Sequence, residues 1–250
     1  MSARTQKLWG HSGIAFHETK WLFGAWSNPP TPHNWSAWPG GVYWESDSGY
    51  TGKDYGGNAG GTEVAFMLMD AYEHTLNETL LEEYLPLAKL TIDFFRQHYR
   101  NRTADGKMVI WPTQSLETYW CSPWDVNGSR PPADCCVDDM PTVGAMYALL
   151  EKMRRLPQRF ASPAEQKQWA EFQAILPPLP TNATHLLPAA VYPNVSHNSE
   201  TPEMYAVHPW RLFSVGRKLT SGTNLSKAIT SFNTDPQAFS PNANAGWCQG

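Results

Sequence analysis

Thr62-Glu63-Val64-Ala65-Phe66-Met67-Leu68-Met69-Asp70-Ala71-Tyr72, followed after a polar turn at His74 to Glu78 by the run from Leu81 to Tyr99, decides the fold. Val64, Met67, Leu68, Ala71 and Tyr72 recur at helical spacing, and Thr62 stands where a side-chain oxygen caps a first turn. In the second run Leu81, Tyr84, Leu85, Ala88, Ile92, Phe95 and Tyr99 mark one face of another helix, which Pro86 either kinks or opens. Two amphipathic helices joined by a brief turn predict a helical hairpin.

Working outward, the same pattern returns. Pro141 opens a third helix with Val143, Met146, Tyr147, Leu150 and Met153 on one face, ending before Pro157. Ser162-Pro163-Ala164-Glu165 is a capping box with proline at the first helical position. Trp169, Phe172 and Leu176 follow at core spacing, and Pro177-Pro178 stops that helix. Shorter helices are expected around His17 to Trp26, near Pro209 to Val215 and from about Leu225 to Phe232.

The segments between helices are long and aromatic. Residues 1–61 carry Trp9, Trp21, Trp26, Trp35, Trp38 and Trp44 among Pro and Gly clusters, and residues 101–140 and 181–224 read as loop. Simple bundles seldom need loops of about 40 residues. An all-α ring of helical hairpins, an (α/α)₆ toroid left incomplete at this length, accounts for them better. Such a ring gathers its long loops at one end, where they wall a cleft. The expectation is one partial catalytic domain over residues 1–250, with a loop-rich entry (1–61) and helical hairpins (62–250).

Composition narrows the function. Hydrophobic residues make up 41% of the 250, enough for a core, so a fully disordered chain is excluded. With 17% charged residues and a net charge of −4, nucleic-acid binding by bulk electrostatics is disfavoured. No apolar run reaches the roughly 18 residues of a membrane span.

Seven Asn-x-Ser/Thr acceptors occur, at Asn34, Asn77, Asn101, Asn127, Asn182, Asn194 and Asn224, where chance gives roughly two. The excess points to a glycoprotein of the secretory pathway. Cys121, Cys135, Cys136 and Cys248 hold no C-x-x-C pair, which argues against structural zinc. The adjacent pair is expected to look outward to Cys121 or Cys248. Ser2 to Lys7 is polar, with no apolar leader segment, and Gly246 to Gly250 reads as the middle of a domain. The chain is therefore expected to be a piece of a longer secreted protein.

Chemistry concentrates in Trp111-Pro112-Thr113-Gln114-Ser115-Leu116-Glu117-Thr118-Tyr119-Trp120. Sugar-cleaving clefts use flat aromatic faces as platforms and carboxyl groups as acid and base. Glu117 is a single carboxylate among Trp111, Tyr119, Trp120 and Trp124. Apolar walls there would keep it protonated, as a general acid requires. Read blandly, it is a loop Glu paired with a nearby Arg. A second cluster, Glu203 to Arg211, offers Glu203, His208 and Arg211 to sugar hydroxyls through charge-assisted hydrogen bonds, or builds a structural network between helices. The spacing of His11, His17 and Glu18 matches no metalloprotease motif, so no metal is expected. Asp134, Asp138 and Asp139 most simply cap the helix at Pro141.

These residues also carry a resemblance. Met69-Asp70-Ala71-Tyr72-Glu73-His74-Thr75 with Glu83-Tyr84-Leu85-Pro86-Leu87-Ala88 resembles six-hairpin glycosidases related to family-95 glycoside hydrolases, which include α-L-fucosidases and α-L-galactosidases. Gln114-Ser115-Leu116-Glu117-Thr118 is similar to the loop bearing that family's catalytic acid, although the family usually has Pro-Glu-Asn there. Asn198-Ser199-Glu200-Thr201-Pro202-Glu203 to Val215-Gly216 resembles another characteristic stretch. His11 to Gly24 resembles a third, with Phe16-His17-Glu18-Thr19 where relatives read Phe-Pro-Glu-Thr.

The resemblance implies an inverting hydrolase on the toroid, acting on an α-linked, deoxy or L-configured sugar in an oligo- or polysaccharide, without a cofactor. Glu117 would protonate the leaving oxygen. Trp111 and Trp120 would be sugar platforms, and Gln114, Glu18, Trp21, Glu203, His208 and Arg211 would line the cleft. In family 95 an Asp aided by Asn side chains activates the water. By motif order the Asn residues fall before Met1 and the Asp beyond Gly250, so the base is expected outside this chain, which then holds only the acid half of the pair and is expected to be inactive alone. Two rivals remain: a polysaccharide lyase with Tyr205 and His208 as base and acid and Arg211 neutralising a uronate, and a glycan-binding helical domain without catalysis.

Overall fold

The computed structural model describes residues 6, 10, 12–14, 44–45, 49–50, 61–111, 113–116, 118–119, 135–194, 196, 200–215 and 225–234. Among these the chain is mostly helical: α1 (Thr62–Thr75), α2 (Glu78–His98), α3 (Met140–Arg154), α4 (Pro163–Ile175) and α5 (Leu225–Thr234). Two short antiparallel pairs accompany them, β1 (Trp44–Glu45) with β2 (Gly49–Tyr50), and β3 (Val137–Asp139) with β4 (Ala189–Val191). The expected helix at His17 to Trp26 lies outside the described residues.

The first hairpin forms where the periodicity put it, with a different face inward. Gly61 caps α1 at φ 118°, a left-handed conformation that suits glycine, so Thr62 lies inside the helix, buried, and is not its cap. Thr62, Ala65, Phe66 and Met69 have the i, i+3, i+4, i+7 spacing of a buried stripe, while Val64 and Met67 face solvent at 45% and 60% exposure. Phe66 turns the helix this way: its ring meets Trp210 edge-on at 5.3 Å. Leu76 ends α1, and the Asn77 side chain caps α2 by accepting from the Leu80 N–H at 3.0 Å. Pro86 sits well inside α2, not in its first turn, and Tyr84 is exposed, whereas Leu81, Leu85, Ala88, Ile92 and Phe95 are buried as expected.

Helix α3 is the axis of the packing. Its side chains are buried nearly all round, because α1 and α4 cover one side and the 3-10 turn Pro202–Ala206 the other. Val143, Met146, Leu149, Leu150 and Met153 join the core of α1, α2 and α4. Met140, Ala145 and Ala148 join a second cluster with Phe66, Leu186, Trp210, Leu212 and Ala228. Both halves of the Ser162–Glu165 capping box are made, and Lys89 Nζ reaches Glu165 Oε1 at 2.6 Å, tying α2 to the start of α4.

Beyond α4 the chain is irregular. The segment expected to be helical from Pro209 to Val215 is a series of turns, and the helical residues precede it, at Pro202–Ala206. Arg211 at φ 54° reverses the backbone, so that the Leu212 and Phe213 N–H groups both return to the Ala206 carbonyl. The 101–140 segment, expected to be loop throughout, contains β3 and an isolated antiparallel bridge between Thr113 and Cys136. Cys135 is disulfide-bonded, with its partner outside the described residues. Cys136 is a buried free thiol, so only one member of the adjacent pair reaches outward. No helix among the described residues is long and apolar enough to cross a membrane.

Candidate functional site

The segment that concentrates the candidate chemistry is pinned along its length. Thr113 and Cys136 exchange backbone hydrogen bonds at 3.3 and 2.8 Å, which lays the segment beside the approach to β3. Two residues later Ser115 and Tyr119 exchange bonds at 3.2 and 3.1 Å, with Leu116 at φ 52° supplying the reversal. Side chains fasten this small loop to two distant stretches: Ser115 Oγ donates to the Pro188 carbonyl at 2.8 Å, and Thr118 Oγ1 donates to the Glu200 carbonyl at 3.1 Å. Glu117, the proposed acid, falls in sequence between Leu116 and Thr118, but it lies outside the described residues, as do Trp120, Glu18 and Trp21.

Two consecutive carboxylates hold the segment leading into the loop. Asp138 Oδ1 accepts from the Ile110 N–H at 2.7 Å, and Asp139 Oδ2 accepts from the Thr113 hydroxyl at 2.7 Å. Asp139 also caps α3, its Oδ1 accepting from the Thr142 N–H at 2.9 Å, which is the capping role its sequence position suggests. Asp138, by contrast, is spent on Ile110, and Asp134 lies outside the described residues. Burial dominates the electrostatics: it pushes the Asp139 carboxyl up to about 7 against the pull of the hydrogen bonds from Thr113 and Thr142, and neighbouring Asp138 adds to the rise. Burial likewise raises the Cys136 thiol and the Tyr99 phenol, each with a contribution from the Asp139 charge.

On its outer side the loop meets the second cluster. The Tyr119 ring packs against Tyr192 at 5.1 Å with an interplanar angle of 60°. Its phenol is raised to about 12, first by burial and then by the negative charge of Glu203. The fold therefore brings Glu203, from the 3-10 turn, to the loop that holds Gln114, Thr118 and Tyr119. Gln114 is fully buried, Trp111 half-buried and His208 exposed.

Arg211 belongs to a different neighbourhood. It pairs with Asp70 on α1, where Lys152 also binds at 2.8 Å and reaches on to Glu73. Both cations lie over the Phe66 ring, Lys152 at 4.9 Å and Arg211 at 5.2 Å from its centre. Burial alone would raise the Asp70 carboxyl, but hydrogen bonds and charge from Lys152 and Arg211 outweigh it and hold it below the usual range. Of the Glu203–Arg211 cluster, Glu203 thus adjoins the loop while Arg211 serves the network between helices.

Tyr192 and Thr113 escaped the sequence reading. Tyr192 follows a three-residue strand too short to show a period, and Thr113 acquires its meaning only through Asp139, 26 residues away. Among the described residues no group of three His, Cys, Asp or Glu side chains converges as a metal-ligand set. No protein-family model matches the sequence, and no curated protein matches it.

Proposed function

We propose that the chain is part of a secreted inverting glycoside hydrolase of the (α/α)₆ toroid type, acting on an α-linked deoxy or L-configured sugar, with Glu117 as general acid. The observation that carries the reading is the loop closed by Ser115 and Tyr119, clamped to Pro188 and Glu200 and bordered by Glu203. A general acid works only when held within reach of the leaving oxygen, and rigid elements hold a group better than a free loop does. Tyr119 and Tyr192 add aromatic surface of the kind sugars stack upon, near the Glu203 carboxylate, whose oxygens would suit sugar hydroxyls. Inversion needs a second carboxylate about 6.5–9.5 Å from the first, with water between.

The short connections between α1 and α2 and between α3 and α4 support the reading, since a ring of this kind is built from helical hairpins. The described acceptor asparagines Asn77, Asn101, Asn182 and Asn194 are all exposed, and Cys135 is oxidised, which favours a secretory-pathway compartment. Commitment of Arg211 to Asp70 weighs against the lyase, whose uronate would need that charge. Because the base is expected outside this chain, the test is hydrolysis of α-L-fucosyl and α-L-galactosyl oligosaccharides by the longer protein expected to carry both, with Glu117 intact and with Glu117→Gln. Loss of turnover in the variant supports the hydrolase. A product absorbing through a new double bond would instead identify a lyase, and binding that survives the substitution without turnover in either protein would identify a glycan-binding domain.

A further inference from the structure

Asp139 is doing more than a cap needs. An N-cap requires one oxygen, and the Thr142 N–H takes Oδ1; the second oxygen, Oδ2, is turned to Thr113, on the segment that enters the candidate loop. Thr113 Oγ1 has another acceptor at the edge of reach, the Gln114 carbonyl at 3.5 Å. Thr113, Gln114 and Asp139 are all fully buried, so water does not compete for these bonds. A hydroxyl has one proton to donate. With Asp139 ionised, that proton goes to Oδ2 in a charge-assisted bond. With Asp139 protonated, its own O–H donates to Thr113 Oγ1, and the threonine proton turns to the Gln114 carbonyl.

We infer that Asp139 is a positioning residue whose proton sets the direction of a hydrogen-bond relay, Asp139–Thr113–Gln114, into the loop that carries Glu117. The inference deepens the hydrolase reading and rests on it for its significance, but the relay is a property of the loop itself. The groups facing Asp139 are Asp138 on β3, Cys136 just before it and Tyr99 after α2. The described groups coupled to it are acids, and Asp138 pushes the carboxyl towards its protonated form. Burial acts in the same direction, bringing the change of state near neutrality. Because a bond to an ionised acceptor is roughly twice as strong as a neutral one, the ionised state holds the loop more tightly.

The experiment is amide hydrogen exchange of the full chain between pH 5 and 9, corrected for intrinsic exchange, read at Ser115 and Tyr119, whose N–H groups close the loop. Protection in the wild type is expected to rise roughly three- to tenfold with pH, with a midpoint near neutrality. Asp139→Asn keeps the cap and should flatten the profile. Thr113→Val leaves both the cap and the Asp139 charge in place and should flatten it too, which a purely structural cap would not do. Asp138→Asn should move the midpoint down. A wild-type profile without a step, or a step that survives Thr113→Val, overturns the inference. Neither result depends on turnover, so absence of glycosidase activity in the longer protein that carries the base would count against the hydrolase reading alone.

Discussion

Gly144 on α3 and Trp210 touch so closely that a β-carbon on the glycine would stand 2.8 Å from Cδ1 of the indole. Trp210 is itself fully buried against Phe66, so neither partner has room to yield. The contact joins the helical core to the turns after the 3-10 segment, and hence to the side of the molecule where Glu203 meets the candidate loop.

Gly144→Ala accordingly has a predictable sign. Helix propensity alone would favour alanine by about 1 kcal/mol. The steric conflict with the indole should reverse this and destabilise by about 1–3 kcal/mol, read as a lower urea midpoint. A stabilised variant would show that Trp210 can move aside.

Stability should fall as pH rises through the acid-to-neutral range. Asp139 has a carboxyl raised from 3.8 to about 7 in the folded chain, so the folded state holds a proton that the unfolded state has lost between those values. Each pH unit in that window costs up to about 1.4 kcal/mol, and the slope vanishes above the folded value. Asp70 behaves oppositely: its lowered carboxyl contributes stability that is present above 3.8 and disappears only as pH falls through its depressed value. Thermal melts from pH 4 to 8 should show the decline in the wild type and a nearly flat profile in Asp139→Asn.

Asp70→Asn tests the network on α1. It leaves Lys152, with 12% of its side chain exposed, with Glu73 as its remaining carboxylate and releases Arg211 from Asp70. The expected loss is about 1–2 kcal/mol, between the values of exposed and buried pairs, and it should shrink in high salt. An unchanged denaturation midpoint would mean that Glu73 alone suffices for Lys152.

Ser162→Ala should cost about 1 kcal/mol, because it removes one half of the capping box while Glu165 keeps its bond to Lys89. Guanidinium denaturation reads the difference directly. A change below a few tenths of a kcal/mol would indicate that the start of α4 is held by its packing instead.

Legibility followed locality. The Ser162–Glu165 box, the stop at Pro177 and the capping by Asp139 were readable because donor and acceptor lie within four residues of one another. The inward face of α1 was not, because two helical stripes coexist there and only Trp210, far along the chain, selects the one containing Phe66. The pairing of β3 with β4 was hidden for a similar reason: three-residue strands show no period, and their register is set across about fifty residues of intervening chain. The residues themselves offered Glu203 and the loop as two separate clusters, and only the family resemblance put both in one cleft. What joins them, the Thr118 bond to Glu200 and the charge of Glu203 at Tyr119, is tertiary.

The most direct test is the hydrolysis of an α-L-fucosyl oligosaccharide with a poor leaving group by the longer protein expected to carry both this chain and the base, followed by proton NMR of the released anomer, with Glu117 intact and with Glu117→Gln. The inverted anomer should be released when Glu117 is intact, and the rate should be roughly 10²–10⁴-fold slower in Glu117→Gln. Undiminished turnover by Glu117→Gln, or binding without turnover in both proteins, would contradict it.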